Sequence, residues 1–226
     1  MGKGVFIIGT DTDVGKTFVS AGITYMLRKN EYKACYFKPI QSGGIIPIDV
    51  KFVKDVCHIE ERYDFMNSYC FEEGVSPHLA SKIENITIKK EKILDTYKEL
   101  IKKYDYVVVE GAGGIIVPLI GNEYYIYNLV KDLKLPCVIV ARAGVGTINH
   151  TILTYEFAKS KGIYVKGIII NEYSGKFYEE DNINIIKNIT KLKVISKISK
   201  LENLDKNTIK NEYEKNINID NILELF

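Results

Sequence analysis

Nine residues, Gly9-Thr10-Asp11-Thr12-Asp13-Val14-Gly15-Lys16-Thr17, carry the clearest chemistry in this chain. They follow the apolar run Val5, Phe6, Ile7, Ile8 and lead into a helical pattern, so strand, glycine-rich turn and helix come in the order a phosphate-binding loop requires. Glycine lets the backbone approach phosphate oxygens, and the first amides of the helix point at the anion with the helix dipole behind them. Lys16 is placed to reach terminal phosphates, and the Thr17 hydroxyl to ligate Mg2+. The usual spacing puts a glycine five residues before Gly15, where this chain has Thr10. The loop predicts a nucleoside-triphosphate-binding protein.

Other chemistry-bearing residues end apolar runs. Glu110 follows Val107-Val108-Val109 and precedes Gly111-Ala112-Gly113-Gly114. Alone it reads as an exposed strand-end acid; beside a phosphate loop it suits a Mg2+ contact. Lys38 opens Lys38-Pro39-Ile40-Gln41-Ser42-Gly43-Gly44 and is open between a solvated lysine and a second cation for a transferring phosphoryl group. Asp49 begins a periodic segment as a helix cap, and could equally ligate metal. Ser76-Pro77-His78 reads as a helix cap with proline first. Gly144-Val145-Gly146-Thr147-Ile148-Asn149-His150 is a glycine turn into another helix, a second anion site suited to a carboxylate. Two anion sites point to a ligase or transferase that handles a phosphoryl donor and a separate anionic substrate.

The elements that must position these residues alternate. Strands are expected at Val5–Gly9, Ala34–Lys38, Tyr106–Glu110, Cys137–Arg142, Gly167–Asn171 and Val194–Ile198. Helices are expected at Thr17–Lys29, Asp49–Cys57, Ser76–Ile83, Lys89–Lys103, Tyr125–Leu133, Thr147–Lys161 and Phe177–Thr190. The alternation predicts one α/β domain over 1–226, a mainly parallel sheet with helices on both faces. Ligands then bind beyond the carboxyl ends of the strands, where Thr10–Thr17, Lys38, Glu110, Arg142 and Asn171 converge. The Asn/Lys-rich segment 203–226 is expected to form a loosely packed terminal helix.

Composition narrows the function class. A net charge of +2, spread along the chain, implies no nucleic-acid partner. No apolar run approaches the ~20 residues of a membrane helix, so no membrane association is expected. Cys35, Cys57, Cys70 and Cys137 have no metal-ligand spacing, and Cys35 and Cys137 read as buried thiols. Reduced thiols, and a first strand beginning too close to Met1 for a leader, give the expectation of a cytoplasmic protein.

Taken together, the loop at 9–17, Lys38-Pro39-Ile40-Gln41-Ser42-Gly43, Ser76-Pro77-His78, Val109-Glu110-Gly111-Ala112-Gly113-Gly114 and Gly146-Thr147-Ile148-Asn149-His150-Thr151 resemble, in order, the motifs of the dethiobiotin synthetase family. The resemblance spans about residues 4–172 and implies a single-domain P-loop NTPase fold. It also implies a ligase of biotin biosynthesis, which joins 7,8-diaminopelargonate and CO2 with ATP and Mg2+. Carried over by motif, Lys16, Lys38 and Thr12 form the catalytic set. The two lysines stabilise the phosphoryl group, while Thr12 and Ser42 meet the amine or carbamate. Amides of Asp13, Val14, Gly15, Lys16, Thr17 and Phe18 cradle the phosphates. Thr17, Asp49 and Glu110 hold Mg2+; Gly111, Ala112 and Gly113 border the nucleotide; Gly113 and Gly114 also border the substrate. Asn171 matches the adenine-reading position. Family members are homodimers whose substrate carboxylate reaches the partner subunit, here toward Thr147 and Asn149. The chain departs from the family at Asp13 (often Glu), in the short segment between Ser42 and Asp49, and at Glu172 (often Asp) and Ser199 (often Pro). A nucleotide-driven switch of the partitioning-ATPase kind is the rival reading; its loops carry an extra early lysine, where this chain has Thr10, Asp11 and Thr12. An amidating ligase of the cobalamin pathway would need a glutamine-hydrolysing domain that 226 residues leave no space for.

Overall fold

A computed structural model describes residues 2–226. The chain runs β1 (Lys3–Gly9), α1 (Lys16–Lys29), β2 (Ala34–Ser42), α2 (Ile48–Cys57), α3 (Tyr63–Met66), β3 (Asn67–Phe71), α4 (Pro77–Ile83), α5 (Lys90–Lys103) and β4 (Tyr106–Gly114). It continues through β5 (Pro118–Ile120), β6 (Tyr124–Tyr125), α6 (Ile126–Leu133), β7 (Cys137–Arg142), α7 (Thr147–Ser160), β8 (Val165–Tyr173), α8 (Phe177–Thr190), β9 (Val194–Ser199), α9 (Lys206–Asn216) and α10 (Ile219–Leu223). Seven strands form one parallel sheet in the order β3-β2-β4-β1-β7-β8-β9, and β5 and β6 make a small antiparallel pair.

The apolar runs explain this layout. β1 is buried from Gly4 to Gly9 and β7 from Cys137 to Ala141, which requires cover on both faces. Because β1 lies between β4 and β7, the chain builds outward on both sides of it. The crevice at such a reversal, beyond the strand ends, is where α/β sheets bind ligands. Register then sets the site: Ile7 pairs with Glu110, and Phe37 with Val109, so Lys38 and Glu110 stand side by side below the turn that follows β1.

Several expectations are corrected. β2 and β4 run on past Lys38 and Glu110, which therefore lie within strands rather than at their ends. β2 changes partner, from β4 over Ala34–Phe37 to β3 over Lys38–Ser42. β3 itself is an edge strand with Asn67 and Ser68 in it, too polar to show as an apolar run. Asp49 is not the cap of α2: Pro47 holds that position and Asp49 lies in the first turn.

The segment 203–226 is not loosely packed. It forms α9 and α10, with Ile209, Tyr213, Ile222 and Leu225 buried. The Tyr213 ring lies 4.9 Å from that of Phe18, and its hydroxyl donates to the Phe18 carbonyl at 2.8 Å. The tail thus supports the first turn of α1, next to Thr17. Tyr213→Ala is expected to cost about 3 kcal/mol or more, the usual loss for emptying a buried aromatic site; chemical denaturation measures it.

Among the described residues no helix is long and apolar enough to cross a membrane. Cys35 and Cys137 are buried free thiols, as expected.

Candidate active site

Beyond β1 the chain turns through Thr10–Gly15 into α1. Gly15 precedes α1 with a φ of 89°, and a Cβ there would lie 1.9 Å from Asn171 Nδ2. Asn171, buried in β8 two residues before its end, donates through Nδ2 to the Val14 carbonyl at 3.1 Å and so braces the turn from beneath. Arg142, from β7, donates to the Asp13 carbonyl and pairs with Glu172 at 3.4 Å. The glycine missing at position 10 is supplied one residue earlier. A Cβ on Gly9 would lie 2.6 Å from the Asp11 carbonyl oxygen and 2.9 Å from Lys16 Nζ, so Gly9 keeps open the path of the lysine.

Lys16 bends back so that Nζ donates to the Asp11 carbonyl at 2.9 Å. Burial, with the charge of Lys38 adding to it, lowers its pKa to about 8. A buried cation without a carboxylate partner makes this turn receptive to anions.

Beside it four strands and helices meet in one charged cluster. Glu110 (1% exposed) accepts through Oε1 from Lys38 Nζ at 2.7 Å and from Thr17 Oγ1 at 2.9 Å, and through Oε2 from the Tyr36 hydroxyl at 2.7 Å. Lys38 (4% exposed) also meets Asp49 Oδ2 at 2.8 Å and donates to the Gly111 carbonyl at 3.2 Å. Burial opposes the Lys38 charge, but Glu110 and Asp49 outweigh it and hold the ammonium above its ordinary pKa. Burial, followed by the Glu110 charge, raises the Tyr36 phenol well above its ordinary value.

This cluster floors a cavity of about 590 Å³, a volume suited to a small-molecule site. Thr12, Asp13, Gly15, Lys16, Thr17, Phe18, Lys38, Ser42, Asp49, Glu110, Ala112 and Gly113 all line it, residues chosen from sequence across a hundred positions. Gly111 is reached through its carbonyl, and Gly114 pairs with Gly9. Thr147 lies apart: it lines a second cavity, about 410 Å³, on the other side of Thr10–Thr12 with Val14, Arg142 and Lys176. Thr12 borders both. Asn149 is exposed on α7 and Asn171 lies under the turn; neither lines either of these two cavities. Ser76 precedes α4 as expected, but its hydroxyl meets His78 Nδ1 at 3.0 Å instead of a backbone amide.

Sequence reading missed Tyr36, Gln41, Ile48 and Phe52. Tyr36 had a usable signal: alternate residues of a strand share a face, so it points the same way as Lys38. Ile48 and Phe52, four apart on α2, contribute to the apolar wall together with Phe18 and Ile40.

A parallel sheet with a glycine turn, Lys16 and Thr17 opening α1 beside a strand-borne carboxylate defines a P-loop nucleoside-triphosphate-binding protein. Solved structures agree on the fold: the MinD cell division protein of Aquifex aeolicus (17% identical, TM-score 0.61, covering 99% of this chain and 95% of that one) and a ParA family ATPase of Chlorobium tepidum (12%, 0.59, 99% and 92%) are similar. A family model described as an AAA domain matches residues 3–208. ATP-dependent dethiobiotin synthetases of Clostridium kluyveri (43% identical, 99% of this chain and 98% of that one) and Clostridium novyi (46%, 89% of each) are similar over nearly their whole length. The chain belongs to the ATP-dependent dethiobiotin synthetase family. The likeness to MinD and ParA concerns the fold alone.

Proposed function

We infer that this chain is a ligase that converts 7,8-diaminopelargonate and CO2 to dethiobiotin, with ATP going to ADP and phosphate, as a cytoplasmic homodimer. The observation that carries this reading is the Lys38 ammonium, buried between Glu110 and Asp49 in the same cavity as Lys16 and Thr17. An anionic carbamate attacking an anionic phosphate needs several positive charges at one point, and two lysines converge there.

One substrate amine adds to CO2, losing a proton, to form the carbamate. A carbamate oxygen takes the γ-phosphoryl group and ADP departs; the second amine then attacks the carbamoyl carbon, expels phosphate and closes the cyclic urea. Lys16 and Lys38 offset the charge on the transferring group, with Thr12 and Ser42 at the amine end. Amides from Asp13 to Phe18 hold the phosphates, Gly111–Gly113 border the nucleotide, and Gly113 and Gly114 border the substrate; Asn171, buried under the turn on the Val14 carbonyl, braces the phosphate loop rather than reading the base. The residues present suit Mg2+: Thr17 can keep an oxygen lone pair free while its proton goes to Glu110, and Asp49 faces the same point. Mg2+ held by Thr17, Asp49 and Glu110 would supply charge neutralisation at the phosphate oxygens.

The start of α7 suits the substrate carboxylate of a partner subunit. Val145 in the turn before it (95% exposed) and Leu153 further along α7 (61%) are exposed apolar side chains that a second copy would cover. Changes at Thr147 and Asn149 are expected to weaken diamine binding at least tenfold more than ATP binding, because Thr147 lies outside the cavity that holds Lys16. Equal weakening, by calorimetry, would remove the separate carboxylate site.

The deciding experiment is phosphate release from ATP, Mg2+ and bicarbonate with and without the diamine, with product mass. Diamine-dependent release with dethiobiotin formed supports the reading. Nucleotide binding with no response to the diamine rejects it.

A further inference from the structure

Glu110 is held by donors of two kinds. Lys38 and Thr17 reach Oε1 from residues that line the cavity, whereas Tyr36 reaches Oε2 from within the core, fully buried and outside the lining of that cavity. A glutamate carboxylate can turn about its Cγ–Cδ bond and exchange its oxygens. With only Lys38 and Thr17 as partners, it would be free to turn both oxygens toward Lys38. The 2.7 Å bond from Tyr36 removes that freedom, tying one oxygen to the core and leaving the other at the cavity. Tyr36 can do this because it sits two residues before Lys38 on the same face of β2, and because Tyr36 pairs in register with Val108, two residues from Glu110 on β4.

We propose that Tyr36 is a positioning residue for metal binding: its hydroxyl orients Glu110 so that Oε1 is presented to the divalent cation that accompanies the nucleotide. The proposal rests on the reading of Glu110 as a metal ligand. Tyr36 touches neither nucleotide nor substrate; it acts through the carboxylate. Partners behind a metal ligand are often worth a factor of about 10 to 100 in metal affinity or activity, and Tyr36 is placed as one.

The test compares the affinity for Mn2+-ATP with that for ATP in EDTA, by calorimetry on the full chain, for wild type, Tyr36→Phe and Glu110→Gln. Phenylalanine keeps the ring that fills the core, and a thermal melt checks each fold. In Tyr36→Phe the ratio of the two affinities is expected to fall about tenfold, with metal-free ATP affinity within about twofold of wild type. In steady state the same variant needs more Mg2+ for half-maximal rate and keeps its KM for the diamine. If Glu110→Gln leaves the ratio unchanged, the metal reading of Glu110 fails and the proposal with it. If Glu110→Gln lowers the ratio but Tyr36→Phe does not, the metal reading stands and the role of Tyr36 is overturned. A Tyr36→Phe protein that loses affinity equally with and without metal also overturns it, since that is the mark of a purely structural hydroxyl.

Discussion

Lys38→Ala is expected to lower turnover by about 10²-fold or more, the scale of losing one donor aimed at developing charge. The geometry adds a second, independent consequence. Lys38 Nζ sits 2.7 Å from Glu110 and 2.8 Å from Asp49, nearly out of solvent. Without it two carboxylates face each other with no cation between them, and breaking a buried ion pair in this way costs about 3–5 kcal/mol. The thermal midpoint therefore falls in metal-free buffer. Mg2+ is expected to restore more stability to Lys38→Ala than it adds to wild type, because a divalent cation can neutralise the same two carboxylates. Lys38→Met, which keeps most of the side-chain volume, separates the lost charge from the lost packing. Turnover near wild type would remove Lys38 from the chemistry. Equal stabilisation of both proteins by Mg2+ would mean that Glu110 and Asp49 do not hold the metal.

Gly15→Ala is expected to weaken ATP binding by about 10²-fold, roughly 2.7 kcal/mol. Two strains act at once. The φ of 89° is one that side-chain-bearing residues rarely adopt, and the added carbon would meet Asn171 Nδ2 at 1.9 Å. Asn171 cannot give way without releasing the Val14 carbonyl, so the turn that presents its amides must move. Asn171→Ala in the same chain removes the collision and leaves the backbone strain, so the double variant is expected to recover part of the affinity and not all of it. Full recovery would assign the whole effect to the collision; wild-type affinity in the single variant would show that the turn adapts. Nucleotide titration with a fluorescent ATP analogue distinguishes these results.

Much of the site could be read along the chain because its signals are local. A glycine turn between an apolar run and a helix needs only contiguous residues, and Lys16 and Thr17 follow from it. Lys38 and Glu110 stood out as charges set into apolar runs. Polarity alone misplaces the strand ends, because β2 and β4 carry Lys38 and Glu110 within them and continue to Ser42 and Gly114. Asp49 showed the opposite limit: its type suits a cap, but Pro47 already supplies the extended backbone there, leaving the carboxylate free for Lys38. In the tail, Ile209, Tyr213 and Ile217 recur every four residues and are all buried, a helical stripe that the surrounding Asn and Lys obscured.

Order of elements, the phosphate-binding turn and the identity of its charged partners were thus inherent in the linear chain. Which atoms meet was not. Thr17 and Tyr36 reach Glu110 across separations of 93 and 74 residues, and they do so because β1, β2 and β4 lie side by side in one register. A shift of one residue in that pairing would turn Glu110 to the opposite face of the sheet. Periodicity along a segment reports which side is buried, but strand order and register arise from the packing of the whole sheet. The division between a cavity holding Lys16 and Lys38 and another holding Thr147 has the same origin, since the turn at Thr10–Thr12 separates them only once β1 is seated between β4 and β7.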